Sequence, residues 1–458
     1  MPFFIRKAAK RKNQDDGKRS KKTKKKEPPP KKDEEVVESE SDDDISIEPD
    51  VSSEDEDKYL TAQEKKVKIA QKYLADVQKE EIEKLENFDD VSDHVLKKLK
   101  HDELEKAGKL KKKLADHIKL SKDKKLLTCK QHKLSITCIA VSSDNKYLYS
   151  SSKDYSIVKW SLESFTKLIF KCLKFKKNST DPRQDYHNCL INCLAISRDD
   201  KHLVSGDEKG NIRIWDTETL NHIRVFKDHK KAVTGLAICR DTNYLFSTSK
   251  DLLVKCWNLN EMGYMETLFG HQAEVTSVDI INENRVLTAG GTDKTIRLWK
   301  IQEESHLIFN APTCCVEIVR KLDDGFFVSG GDDGSLCLWG TLKKKPLHVI
   351  NAAHGLDPIN KQPNWITAIA VLPNSDLIAS GSCDNNIRLW KWNQTVKSII
   401  PLNNIEIPGF VNAIQFTSDG HYLIAGIGKE HRLGRWQNIQ QAKNSIICIQ
   451  IMKINGLN

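Results

Sequence analysis

No two of the twelve cysteines in this 458-residue chain stand in a CxxC pair. The nearest approaches are Cys189/Cys193 and the adjacent Cys314–Cys315. Ligand spacing for structural zinc is therefore missing, as is the pattern of a secreted disulfide scaffold. Most of the others, such as Cys138, Cys239 and Cys256, lie in apolar runs, where cysteine acts as a small hydrophobe. No apolar run reaches the roughly 18 residues of a membrane helix, and the N-terminus has no secretory h-region. A soluble protein of a reducing intracellular compartment is expected, with no membrane contact. There is no glycine-rich phosphate loop, no metal-ligand cluster and no nucleophile set beside a base. No catalytic residue, metal or cofactor is expected.

What is present is unevenly spread. Hydrophobic residues make up 38% and charged residues 30%, with a net charge of +9. Charge dominates the first 120 or so residues, so only the remainder can bury a large core. Residues 1–57 form a basic and then acidic tail, too polar to offset the entropy of ordering. Its clusters Lys10-Arg11-Lys12 and Lys24-Lys25-Lys26 fit a bipartite nuclear-import signal, or simply a solvated polycation. Ser39, Ser41, Ser52 and Ser53 each precede an acidic residue by three positions, which suits an acidophilic kinase. Residues 58–125 predict a charged helical arm. It opens on the capping box Thr61-Ala-Gln-Glu64, and Leu110, Leu114 and Ile118 share one stripe near its end. The arm is either a solvated helix or a partner-binding element.

Residues 126–458 repeat. Tryptophans at 160, 215, 257, 299, 339, 390 and 436 recur at the period of propeller blades. The expected fold is all-β, a seven-bladed WD40 propeller. His132/Asp154/Trp160, His229/Asp251/Trp257 and His271/Asp293/Trp299 share one spacing, and His354/Asp384/Trp390 carries eight inserted residues. With a strand Ser or Thr, each set can form a buried structural relay, stabilising when every member is satisfied. Recurrence across blades argues against a catalytic triad. Either Leu126–Cys129 or Ser445–Ile451 could supply the strand that closes the ring.

The turns holding the aspartates and the loops holding the histidines share one face, here the top. Its candidate RNA-binding cations are Lys130, Lys133, Lys153, Lys209, Lys230, Lys231, Lys250 and Lys294. The long entry loop of blade two adds Lys174, Lys176, Lys177 and Arg183. The opposite face offers acidic turns such as Asp199-Asp200 and Asp323-Asp324, which predicts a polarised disc. In blade seven Glu430 stands where the repeat calls for aspartate, and in blade two Lys209 does. Both turns are read as diverted to binding, with blade seven's reshaped outward so that Lys429, His431 and Arg432 complete a basic arc. Such an arc suits RNA, with phosphate contacts positioning the ligand and shape being read. Trp365, in the insertion of blade six, is a candidate protein-partner contact or a packed lid.

The segments TAQEKKVKIAQKYL, LSITCIAV, METLFGHQAEV, SGGDDGSLCLWG and AGIGKEHRLGRW, with AHGL and NWI in blade six, resemble the U3 small nucleolar RNA-interacting protein family. That family is the WD-repeat subunit of the U3 small nucleolar ribonucleoprotein, and the likeness runs from about residue 60 to 450. It implies a protein of the nucleus and nucleolus that binds the box B/C region of U3 small nucleolar RNA. Its implied partners are the box C/D core proteins, including the small kink-turn-binding protein, and other small-subunit processome proteins. The implied task is early pre-rRNA processing. Pro312 departs from the pattern where a Gly-His pair is usual, which predicts a broken relay in blade five. The competing reading is a nuclear adaptor that takes a peptide motif in its central channel.

Overall fold

The computed structural model describes residues 66–68, 70–76, 95, 96, 98–100, 102, 103, 111 and 113–453, apart from 128–131, 172–185, 313, 314, 359 and 437. The tail, with the import signal expected in it, lies outside these residues. The chain divides into two compact units, 1–95 and 96–458. In the first, residues 66–68 and 70–76 are helical. In the second, 96, 98–100, 102 and 103 are helical before the chain turns to strand.

Among the described residues, twenty-eight strands, β1 to β28 in chain order, form seven antiparallel sheets of four. The seven-bladed propeller expected from the repeats is the observed architecture. Side chains alternate across each strand, so inner strands bury both faces against neighbouring blades. The apolar clusters accordingly lie between blades. Ile139, Leu148, Val158 and Trp160 of blade one pack with Ile424, Ile446 and Cys448 of blade seven. Val204, Ile212 and Ile214 of blade two pack with Leu245 and Trp257 of blade three.

Blade seven takes the candidate Ser445–Ile451 within a longer closing strand, and of the candidate Leu126–Cys129 it takes Leu126 and Leu127, since 128 and 129 lie outside the described residues. Its order is β1 (Ile118–Leu127), β28 (Ser445–Lys453), β27 (Tyr422–Gly428), β26 (Phe410–Phe416) from rim to centre. Ile118 pairs with Lys453 and Leu127 with Ile446, across an irregularity between Leu120 and Lys124. The rim strand thus comes from the other end of the chain, and it covers the edge β28 would otherwise expose. The third strand of this blade carries no tryptophan. Trp436 lies between β27 and β28, off any strand and 59% exposed, contrary to its expected place.

The helical reading of the arm fails at its end. Ala115–His117 is a single 3-10 turn, and β1 follows directly. Leu114 and Ile118 pack against the cluster between blades six and seven. Asp376 accepts the amides of Leu114 at 2.8 Å and Ala115 at 3.0 Å. Lys111 and Asp116 pair with Asp323 and Lys391 on the undersides of blades five and six. Sheet pairing satisfies the backbone and buries Leu127 together, which an isolated charged helix cannot do.

Removing residues 59–110 should leave the melting temperature near that of the whole protein. Removing 59–122 also cuts half of β1 and should lower it by roughly 10 °C or more, with aggregation. Equal melting of the two deletions, by scanning calorimetry, would contradict this closure.

Candidate nucleic-acid interface

The top edges of the blades are fixed by polar relays. In blade three, His229 Nδ1 lies 2.9 Å from Asp251 and Nε2 lies 2.8 Å from Ser247 Oγ, to which Trp257 Nε1 donates at 2.9 Å. His271, Asp293, Thr288 and Trp299 repeat this in blade four, and His354, Asp384, Ser380 and Trp390 in blade six. Blade one inserts Ser156 between His132 and Asp154, and Trp160 donates to Ser150. Burial pushes the carboxyls of Asp154, Asp251 and Asp293 up, but histidine, side-chain and backbone hydrogen bonds outweigh it and hold each at about 2. In blade five Trp339 still donates to Ser329 at 2.9 Å, and among the described residues no histidine joins them.

Blade two corrects the sequence reading. Its turn has not lost the relay carboxylate, because Asp207, two residues before Lys209, supplies it. His187 lies 3.3 Å from Asp207 and 2.6 Å from Ser205. Asp207 also accepts the amides of Lys209 and Asn211. Gly210, at φ +85°, is required here, since a Cβ would meet the carbonyls of His229 and Lys231. That close approach sets the Lys209 turn against the Lys230–Lys231 loop.

Blade seven corrects a second expectation. Residues 429–436 and 438–444 do not turn outward but fold over the mouth of the central channel, which Arg432 and Leu433 line. Asn412, at the top of β26, receives the Arg432 amide at 2.9 Å and donates to the Glu430 carbonyl at 3.1 Å. Glu430 meets Lys153 of blade one at 3.5 Å and Arg435 at 3.4 Å. Asn444 accepts the Lys429 amide at 3.0 Å and donates to the Lys133 carbonyl at 3.2 Å, which brings these two lysines together. The ring of Trp436 lies over Gly434, in the space a Cβ there would take.

Three predicted RNA ligands change role. Lys153 is 4% exposed and donates to the Gly434 carbonyl at 3.0 Å, so it props the loop from below. His431 is 3% exposed and stacks on Trp365 with centroids 4.5 Å apart and planes at 21°. Burial, with Arg432 and Lys153 nearby, lowers its pKa to about 3, so it is neutral and is no phosphate ligand. Arg432 points into the channel, 4.0 Å from Glu317. Trp365 is half-buried between blade six and His431, in the packed arrangement of a lid.

Lys133, Lys209, Lys230, Lys231, Lys294 and Lys429 are exposed, and Lys250 is half-buried beside Glu274 at 3.4 Å. Lys130, Lys174, Lys176, Lys177 and Arg183 lie outside the described residues. The opposite face is not stripped of cations as expected. Lys146, Lys201, Arg240 and Lys343–Lys345 are exposed there, while Arg198, Lys300 and Lys321 pair with Asp241, Glu303 and Asp324. What sets the top apart is the company its cations keep. Lys429 and Lys133 flank a loop that also exposes Arg435, at 67%, and Trp436. Arg435 and Trp436 escaped the sequence reading because the tryptophan was assigned to a strand.

Five stretches, 123–161, 182–216, 220–258, 263–300 and 356–391, match the WD domain, G-beta repeat family. Blade five and the strands β26 to β28 of blade seven, which depart from the relay, fall outside them. The chain is 46% identical over 396 residues to the mouse U3 small nucleolar RNA-interacting protein 2, covering 86% of this chain and 83% of that one. It is 26% identical to ribosomal RNA-processing protein 9 of Saccharomyces cerevisiae, over 82% and 83% of the two chains. The solved structure described as the RRP9 WD40 repeats shares 42% identity at a TM-score of 0.69, covering 73% of this chain and all of that one.

His431 gives a pH signature. Its folded pKa of about 3 lies below the ordinary 6.5. Its neutral burial is therefore fully favourable above pH 6.5 and weakens as pH falls, because the unfolded chain takes up a proton that the folded chain refuses. Between pH 6.5 and 5 this costs the wild type about 2 kcal/mol, which His431→Phe escapes. Denaturant titrations at the two pH values should show the variant losing less stability; parallel losses would mean that the imidazole is not buried neutral.

Proposed function

This chain belongs to the U3 small nucleolar RNA-interacting protein family, and from that premise we propose that it is a non-catalytic RNA-binding subunit of the U3 small nucleolar ribonucleoprotein. Its place is in rRNA processing, in the nucleus or nucleolus, as the names of its relatives imply. In this reading the top of the propeller holds the box B/C region of U3 RNA, beside the small kink-turn-binding protein and the other box C/D core proteins. The helical arm serves further processome proteins.

The observation that carries the reading is the blade-seven loop, which brings Lys429, Lys133, Arg435 and Trp436 to one outer surface. Cations bind the phosphates and hold the RNA in register, while an exposed indole offers a stacking face to an unpaired base. Lys209, Lys230 and Lys231 extend the charge over blades two and three. The peptide-adaptor reading loses ground, because Arg432 and Leu433 of the chain itself line the channel that a peptide would enter.

Glutamate at Lys133, Lys230 and Lys429 together should weaken U3 RNA binding and lower the slope of log affinity against log salt by about three. The same reversal of Lys343, Lys344 and Lys345 on the opposite face should leave both near wild type. Filter binding across a salt series reads this directly. Equal loss from the two triples would reject the top face as the RNA site.

A further inference from the structure

Near the start of each innermost strand, one position faces the next blade. It is filled by Thr137, Asn192, Thr234, Thr276, Glu317, Thr367 and Asn412 in blades one to seven. Five of these side chains donate across the ring to a backbone carbonyl of the following blade. Asn192 reaches Val233 at 3.0 Å, Thr234 reaches Val275 at 2.5 Å, and Thr276 reaches Val316 at 2.6 Å. Thr367 reaches Val411 at 2.5 Å and Asn412 reaches Ile136 at 2.9 Å. Together they make a girdle around the channel.

Two positions stand outside it. Thr137 turns to Ser151 of its own blade at 2.9 Å, still as a neutral hydroxyl pair. Glu317 alone brings a carboxylate, and among the described residues it makes no hydrogen bond to blade six. It is 18% exposed and faces Arg432, 19% exposed, across the channel. A carboxylate placed in a ring of short neutral donors gives up a girdle bond and carries a desolvation cost. Its compensation is a cation delivered from the opposite side of the ring, at the root of the loop over the channel mouth.

We propose that Glu317 is a positioning residue for RNA binding: by seating Arg432 it holds residues 429–444 over the channel in the shape that presents Lys429, Arg435 and Trp436. This deepens the RNA-binding reading of the blade-seven loop and rests on it. Asn412 fixes the backbone of Glu430 and Arg432, Lys153 supports the loop from blade one and Trp365 stacks on His431 from blade six, while among the described residues Glu317 alone pairs with it from blade five. Held at both sides, the loop meets RNA already ordered, so less of the binding energy is spent on ordering it.

Glu317→Thr separates this role from a structural one, because it restores the side chain that the girdle uses elsewhere. The variant should melt within a few degrees of wild type. Amide exchange in 429–444 should accelerate, and U3 RNA affinity should fall on the order of tenfold, since the competent loop becomes a minor state. Glu317→Gln, nearly isosteric and uncharged, should do the same and serves if the threonine variant fails to fold. Unchanged loop exchange, or faster exchange at wild-type affinity, overturns the proposal. Lys429→Glu with Arg435→Glu is the companion measurement. If it weakens RNA binding while Glu317→Thr does not, positioning fails and the RNA surface stands; if neither variant weakens binding, the surface itself is misassigned.

Discussion

Pairing of β1 with β28 is the constraint on which the rest of the structure depends. Seven sheets form a ring only when the last is closed, and here the rim strand of the last sheet comes from residues 118–127. Closure seats β28, and β28 receives the end of the loop that begins at β27. The interface on top of blade seven is thereby set by a strand that enters from the other end of the chain. The turn before β1, capped by Asp376 beneath blade six, fixes where that strand starts.

Within the closed ring, polar groups are used in two separate ways. The His–Asp–Ser–Trp relays stiffen individual blades at their top edges, where imidazole and indole nitrogens find partners and hydrogen bonds hold Asp154, Asp207, Asp251 and Asp293 below the usual carboxylate range. The threonine and asparagine girdle joins blade to blade around the channel. Blade seven abandons the first device and keeps the second through Asn412, which then also binds the loop backbone. Freed from a relay, that loop buries His431 and Arg432 and turns Lys429, Arg435 and Trp436 to solvent. One short segment thus supplies both a plug for the channel and an outward surface with charge and an aromatic face.

The repeats and their relays were legible in the sequence because propeller blades impose a fixed distance between turn, strand and tryptophan. Two misreadings share that rule as their origin, and a third comes from the helical period. Asp207 was overlooked since counting back six residues from Trp215 lands on Lys209, whereas the blade-two turn takes its carboxylate two residues earlier. Trp436 fitted the spacing of its six counterparts yet lies in the loop before β28. Leu114 and Ile118 are four apart, which a helical stripe also predicts, and only pairing with β28 decides for strand. Charge was misjudged for a different reason. Counting Lys153, His431 and Arg432 as surface cations ignored burial, which neutralises the imidazole and turns the other two inward. Glu317 was visible in principle, since its counterparts in the aligned repeats are Thr or Asn, but its meaning required Arg432 across the channel.

In the proposed reading, folded RNA lies on the top of the propeller at blade seven and the blades that follow it. Ultraviolet crosslinking of the full protein to U3 RNA, with the modified peptides sequenced, tests this most directly. Adducts are expected at Trp436 and in the loops holding Lys429, Lys133 and Lys230–Lys231. Adducts confined to the opposite face, at the turns around Lys201, Arg240 and Lys343–Lys345, would contradict it.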